Sequence, residues 1–208
     1  MRTHLKIINH TTKQTMMALD MEYVQELSKL GFVVLPTRNK FPRGIIGWQK
    51  ATKTWDNPDD WERATGYCIK TGEISNVTVV DIDKPSRSWF EKFWAQSGLP
   101  DTTTVETPSG GLHLYYKYDP RLRQTQGFKT QTKGFKLDID IRNDNGVIVA
   151  PNSPYDTDKE EKKKYIGIPY KFAKRDGKEL DFSYLRELDE IWVEFRTKGV
   201  DTETFEPL

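Results

Sequence analysis

Between Gly66 and Ala150 the chain breaks into six short apolar segments, at 67–69, 77–82, 103–106, 112–118, 137–141 and 147–150, with only one helical pattern among them, at 86–96 after Pro85. Many short strands with few helices fit an α+β chain with mixed or antiparallel sheets, arranged as two packed lobes. The second segment carries the strongest chemical signal. Val77-Thr-Val-Val-Asp-Ile-Asp83 is an apolar run that ends in two carboxylates one residue apart. Side chains alternate along a strand, so Asp81 and Asp83 point the same way at its end. Carboxylates that close resist ionising together unless a divalent cation lies between them. A solvated strand terminus would give the same pair, so the other motifs carry weight.

Thr107-Pro-Ser-Gly-Gly-Leu-His113 joins two of the strands. Pro108 fixes φ, and Gly110 and Gly111 can take φ > 0 and bring backbone N–H groups near a ligand. With the Ser109 hydroxyl and a His at the turn exit, this forms a candidate phosphate cradle, although a plain hairpin needs no function. In Leu137-Asp-Ile-Asp-Ile-Arg142, the residues Asp138, Asp140 and Arg142 share one strand face. A half-solvated sheet gives that pattern too. The functional reading makes one acid a metal ligand and Arg142 a fork for phosphate oxygens. Asn145-Gly146 then signals a tight turn, and Pro151 ends the returning strand. Carboxylates, a Gly-rich turn, one His and one Arg together form the parts of a metal-dependent phosphoryl-transfer site.

Composition narrows the alternatives. One cysteine, Cys68, excludes an internal disulfide and a Cys-based zinc site. No segment reaches the ~18 apolar residues that a membrane span needs, and no leader pattern opens the chain, so an intracellular, non-secreted protein is expected. Net charge is only +1, yet between Lys117 and Lys136 six basic residues face one acid. Arg121, Arg123, Lys129 and Lys133 are therefore candidates for contact with nucleic acid. Residues 1–19 read as a polar N-terminal extension. Asp20 caps a helix with Tyr23, Val24, Leu27 and Leu30 on one face and Gly31 as its stop. A strand is expected at 32–35, and a helix starts at Asn57-Pro58. Trp89, Phe90, Phe93 and Trp94 form a core stripe. Residues 159–164 read as a solvated charged loop, followed by a strand at 165–168 and a closing helix at 183–197.

The order Lys70-Thr71-Gly72, Val80-Asp-Ile-Asp83, Thr107-Pro-Ser-Gly-Gly-Leu-His113, Asp140-Ile-Arg142 and Gly146-Val-Ile-Val-Ala-Pro151 resembles the bifunctional DNA primase/polymerase (prim-pol) domain of the archaeo-eukaryotic primase superfamily, from about Leu27 to Ser153. The resemblance implies a two-lobed primase-like fold with an RRM-like catalytic lobe and flanking helices. The catalytic domain would occupy 20–155, and 156–208 would complete it. It implies Asp81, Asp83 and Asp140 as catalytic, metal-binding residues for two Mg²⁺ or Mn²⁺ ions. Ser109, Gly110, His113 and Arg142, with Lys70, Thr71 and Gly72, would contact the incoming nucleoside triphosphate, and Lys40 matches a loop lysine of such domains. Asp138 is an extra acid beside the expected ligand, and the Asp-x-Arg spacing favours Asp140.

The implied partners are nucleoside triphosphates, a single-stranded DNA template and primer, and a replication helicase. That helicase would be a module of the same polypeptide or a separate protein, because no Walker A motif occurs in this chain. The implied setting is a prokaryotic cytoplasm or a site of viral or plasmid replication. Two other readings stay open. A metal-dependent nuclease would use the same acids without a triphosphate site. A catalytically silent single-stranded nucleic-acid-binding module would use the basic segment alone and be indifferent to metal.

Overall fold

The computed structural model describes residues 19–208; His4, His10 and all but the last residue of the expected 1–19 extension lie outside them. Asp20 accepts a hydrogen bond from Tyr23 N–H at 3.0 Å and opens α1 (Met21–Lys29). β1 (Val34–Thr37) starts two residues later than the sequence pattern predicts. The Phe32 N–H bonds back to the Leu27 carbonyl and the Val33 N–H goes to the Ser75 hydroxyl, so pairing begins only at Val34. Asn57 caps α2 (Pro58–Glu62) with Pro58 in the first turn.

After α2 come β2 (Gly66–Lys70), β3 (Val77–Ile82), α3 (Lys84–Ser97), β4 (Thr103–Glu106) and β5 (Leu112–Lys117). A small hairpin of β6 (Phe128–Lys129) and β7 (Lys136–Leu137) leads to β8 (Ile139–Arg142) and β9 (Val147–Val149). β10 (Lys171–Phe172), the hairpin of β11 (Lys174–Arg175) and β12 (Lys178–Glu179), and α4 (Glu190–Lys198) complete the chain. The strands form a three-stranded sheet in the order β1-β2-β9 and a five-stranded sheet in the order β10-β4-β5-β3-β8, with every strand pair antiparallel. The fold is α+β. No helix among the described residues is long and apolar enough to cross a membrane.

Strand alternation splits β3 between two cores. Val77 and Val79 pack with Val105 and Tyr115 against Val34, Tyr67 and Ile69 of the small sheet and Leu27 of α1. Val80 and Ile82 face the other way, into a cluster with Phe90 and Phe93 of α3 and Trp192 and Phe195 of α4. The stripe Trp89, Phe90, Phe93 and Trp94 thus belongs to the core, as its spacing predicts. Asp81 continues the Val77–Val79 row, at the end where the two sheets part.

Three expected elements differ. The 137–141 strand is interrupted at Asp138, whose carbonyl accepts from Asp83 N–H and whose N–H goes to the Ser86 hydroxyl. No strand forms at 165–168, because Glu160–Tyr165 winds a 3₁₀ helix, Gly167 takes φ +82° and Pro169 offers no donor. The 183–197 helix is split: Phe182–Tyr184 is a single 3₁₀ turn, and the Arg186 carbonyl is taken by Lys117 N–H before α4 begins.

The α4 anchor is Trp192, fully buried, with Nε1 donating to the Tyr116 hydroxyl at 3.0 Å and its ring against Phe93 and Phe195. Trp192→Ala is expected to cost about 3–5 kcal/mol of stability, read as a lower urea midpoint. A stability loss below about 1 kcal/mol, taken as the midpoint shift multiplied by m, would mean that α4 is not integral to this core.

Candidate active site

β3 is hydrogen-bonded along both edges, and its register sets Asp81 directly opposite His113 on β5 and opposite Asp140 on β8. Directly opposite residues of antiparallel strands share a face, so Asp140, Asp81 and His113 form a row across the sheet. Asp83 follows β3 at the first position before α3, where its carboxylate makes no capping bond. Asp138 is exposed at the interruption before β8, outside the row.

Arg142, two residues beyond Asp140, turns back over the row. Its Nη2 lies 2.9 Å from Asp81 Oδ2 and 2.8 Å from Asp140 Oδ2, and its Nε donates to Asp81 at 3.2 Å. The second oxygen of Asp140 accepts from Gly127 N–H at 3.0 Å. These side chains are 15% (Asp81), 17% (Asp140) and 26% (Arg142) exposed, so the ion pairs are largely withdrawn from water. Burial pushes the Asp81 and Asp140 carboxyls up, and the guanidinium pulls against it. Asp83 is pushed up by burial and then by the charges of Asp81 and Asp140.

His113 is buried, with Nε2 3.6 Å from Asp81 Oδ1, too far for a hydrogen bond. Burial, and then Arg142, lower its pKa to about 3, so the imidazole is neutral. Its ring leans on Tyr170 at 5.5 Å, and Tyr170 stacks on Tyr155 at 5.9 Å.

The turn before β5 is self-contained. Gly111 N–H donates to Thr107 Oγ1 at 2.8 Å and Gly110 N–H to the Thr107 carbonyl at 2.9 Å. Gly110 takes φ +97°, and a Cβ on Gly111 would lie 2.5 Å from the Ile82 carbonyl oxygen. Both glycine amides are therefore spent inside the turn and do not reach a ligand, contrary to the cradle reading. Ser109 lines the cavity, with its hydroxyl 3.2 Å from that of Thr107.

The cavity measures about 620 Å³. Asp81, Asp83, His113 and Arg142 line it, with Thr107 and Ser109 from the turn. Phe41, Trp48, Gln49 and Val147 face them from the side of the small sheet, and Lys40, Lys159, Lys162 and Tyr170 are also among the lining residues. Lys40 lies 3.9 Å above the Tyr155 ring, and burial, then Lys162 and Lys159, lower its pKa to about 8.

Other candidates are placed elsewhere. Lys70 is buried with Nζ on the carbonyls of Gln49 and Ala51, at 2.6 and 2.8 Å, holding the loop that carries Trp48. Thr71 donates to the Asn143 carbonyl at 2.7 Å, and Gly72 packs on Asp144. None of the three lines the cavity. Arg121 is tied to Asp119 and Glu190. Arg123, Lys129 and Lys133 are exposed and have no ion-pair partner among the described residues. Lys159, Lys162, Tyr170 and Trp48 line the cavity although the sequence pattern did not single them out. For the lysines the one available signal was a charge run, which a solvated loop also produces.

Among the described residues no three acidic, His or Cys side chains stand close enough together to hold an ion as placed. The Arg142 guanidinium occupies the gap between two of the acids. The donor chemistry nonetheless fits a hard divalent cation: all three candidates are carboxylates, and the Asp83 carboxylate has no hydrogen-bond or ion-pair partner among the described residues.

The depressed His113 pKa has a pH signature. Neutral His113 contributes stability that is present above 6.5 and lost as pH falls toward about 3. The raised Asp pKa values act with the opposite sign, so the difference between variants is what isolates the imidazole. Wild type is expected to lose stability below pH 6.5 more steeply than His113→Asn, by up to about 1.4 kcal/mol per pH unit. Parallel stability curves for the two proteins would refute a neutral buried imidazole.

Compared with known families, residues 24–180 match the one described as bifunctional DNA primase/polymerase, N-terminal. A comparison with curated proteins gave no match.

Proposed function

We propose, from the premise that the chain belongs to the bifunctional DNA primase/polymerase N-terminal family, that it performs template-directed nucleotidyl transfer from nucleoside triphosphates to a 3′-hydroxyl. The observation that carries this reading is the row Asp140–Asp81–His113, of which Asp81 and His113, with Asp83, line a cavity that has lysines on another side. In the reaction the 3′-oxygen bonds the α-phosphorus, and the bond to the pyrophosphate leaving group breaks. Two Mg²⁺ or Mn²⁺ ions held by Asp81, Asp83 and Asp140 would neutralise phosphate charge and lower the pKa of the attacking hydroxyl.

The protein groups divide the remaining work. His113, neutral and fixed by Tyr170, has no proton to give up as an acid at neutral pH and serves as a hydrogen-bond donor to phosphate oxygen. The Ser109 hydroxyl lies one turn away on the same cavity. Arg142 neutralises Asp81 and Asp140 before ligands arrive, and its planar fork suits phosphate oxygens once those acids have another cation. Lys70, Thr71 and Gly72 act indirectly, by holding the 49–51 loop and the turn at Asn143.

The strand order β4-β5-β3-β8, with α3 between β3 and β4 in the chain, supports an RRM-like catalytic lobe, with β1-β2-β9 as the core of the second. The exposed Arg123, Lys129 and Lys133 suit a template backbone better than Arg121, which is already paired. The helicase partner and the replication setting belong to the same reading.

Incubation with single-stranded template, labelled nucleoside triphosphates and Mn²⁺ or Mg²⁺, with and without primer, tests it. Asp81→Asn, Asp83→Asn and Asp140→Asn are each expected to reduce incorporation to background, as is chelation, whereas Asp138→Asn stays near wild type. Near wild-type incorporation by Asp81→Asn would remove the metal assignment, and metal-independent DNA binding without incorporation would favour a silent binding module.

For the template, Lys129→Ala with Lys133→Ala is expected to weaken single-stranded DNA binding and flatten the slope of log affinity against log salt by about 0.7 per lysine lost. An unchanged slope would place the template elsewhere.

A further inference from the structure

Residues 155–167 form a closed loop beside the cavity. At its base Tyr155 N–H donates to the Ile168 carbonyl and Gly167 N–H to the Tyr155 carbonyl, both at 2.9 Å. Along its flank the Asp156 carboxylate accepts from Asn39 N–H at 2.6 Å, and Asp158 N–H donates to the Asn39 side chain at 3.3 Å. Between these ties, Glu160–Tyr165 winds a 3₁₀ helix with Lys159 at its cap. Side chains three apart in a 3₁₀ helix share a face, so Lys159 and Lys162 both reach the cavity, while Lys163 turns to Glu160.

Lys40 meets them from the facing turn, where Asn39 and Lys40 take φ of +52° and +66°. Such backbone is costly for non-glycine residues and is kept where the surroundings over-determine it. Among the described residues none of Lys40, Lys159 and Lys162 has an ion-pair partner, although acids line the same cavity. Three lysines without ion-pair partners at one cavity repel one another until an anion joins them; burial is the main cause that lowers Lys40, and the charges of Lys162 and Lys159 add to it.

We propose that Lys159 and Lys162, with Lys40, bind the outer phosphates of a polyphosphate ligand whose inner phosphate lies toward the carboxylates and His113. That the ligand is a nucleoside triphosphate rests on the nucleotidyl-transfer reading. The lysine site itself needs only a chain of phosphates. Compact ammonium groups on flexible stems suit terminal phosphates, which present charge without a fixed planar geometry. The site therefore selects by phosphate number: a monophosphate reaches the floor of the cavity but not the lysines.

Calorimetric titrations of the full chain in Mg²⁺, with the mono-, di- and triphosphate of one nucleoside and with inorganic tripolyphosphate, test this. Lys159→Ala with Lys162→Ala is expected to weaken triphosphate and tripolyphosphate binding about tenfold or more, while monophosphate binding stays within about twofold. Lys159→Arg with Lys162→Arg, which keeps the charges, should restore most of the loss. Equal weakening of mono- and triphosphate would overturn the proposal. So would loss of single-stranded DNA binding with triphosphate affinity intact, which would assign the lysines to the template. If wild type incorporates nucleotide and the double Ala variant keeps full triphosphate affinity, the lysine site falls and the transfer reading stands. If wild type binds tripolyphosphate through these lysines but incorporates nothing, the transfer reading falls and the lysine site stands.

Discussion

Strand β3 is paired on both edges and covered on both faces, and that double constraint decides where every charged group of the cavity stands. A register slip of one residue would turn Asp81 away from the gap between the sheets and into the cluster of Phe90, Phe93 and Trp192. An unpaired carboxylate there would be strongly unfavourable. The opposite penalty falls on Val80 and Ile82, which would lose their aromatic cover. Val77 and Val79 on one face and Val80 and Ile82 on the other, all fully buried, therefore pin the register through apolar packing alone. The acids inherit their positions from that packing.

Burial creates an electrostatic debt that the same sheet settles. Asp81 and Asp140 are opposite one another on adjacent strands, where like charges repel. Arg142 lies on the same strand face as Asp140 and spans both carboxylates. His113 adds no charge, because burial and the nearby guanidinium keep it neutral. Asp83 is left over, pushed up by burial and by its acidic neighbours, with Lys162 acting on it only from a distance and no ion pair of its own among the described residues. A cavity with a surplus acid on one side and three unpaired lysines on another is poised for a ligand that carries both signs, as a cation-bound phosphate chain does.

The parts written in one local pattern were readable from the residues. The apolar run of β3, the aromatic stripe of α3 and the caps at Asp20 and Asn57 each depend on neighbours in sequence, and each forms where that pattern puts it. The meeting of Asp81, Asp83, His113 and Arg142 on one cavity also follows from strand-end positions. What could not be read depends on distant partners. Lys70 looks the same in sequence whether it meets a phosphate or the carbonyls of Gln49 and Ala51. The run at 159–164 has the composition of a solvated loop, and only the tie from Asp156 to Asn39 brings it to the cavity. The 183–197 pattern is helical, yet Arg186 pairs its backbone with β5 and divides it.

The residues that miss the cavity explain its shape. Lys70 ends the middle strand of the small sheet and grips the 49–51 loop, which sets Trp48 and Gln49 on the wall facing the acids. Thr71 fixes the Asn143 carbonyl, and so the turn from Arg142 into β9. The Thr71 bond thus ties the small sheet to the turn after β8, and Val77, Val79 and Tyr115 pack the two sheets together behind the opening. One alternating row on β3 runs Val77, Val79, Asp81: the first two close the sheets on each other, and the third stands where they part. The cavity is the continuation of the core with the apolar side chains replaced by charge, which is why its groups are desolvated without being sealed from ligand.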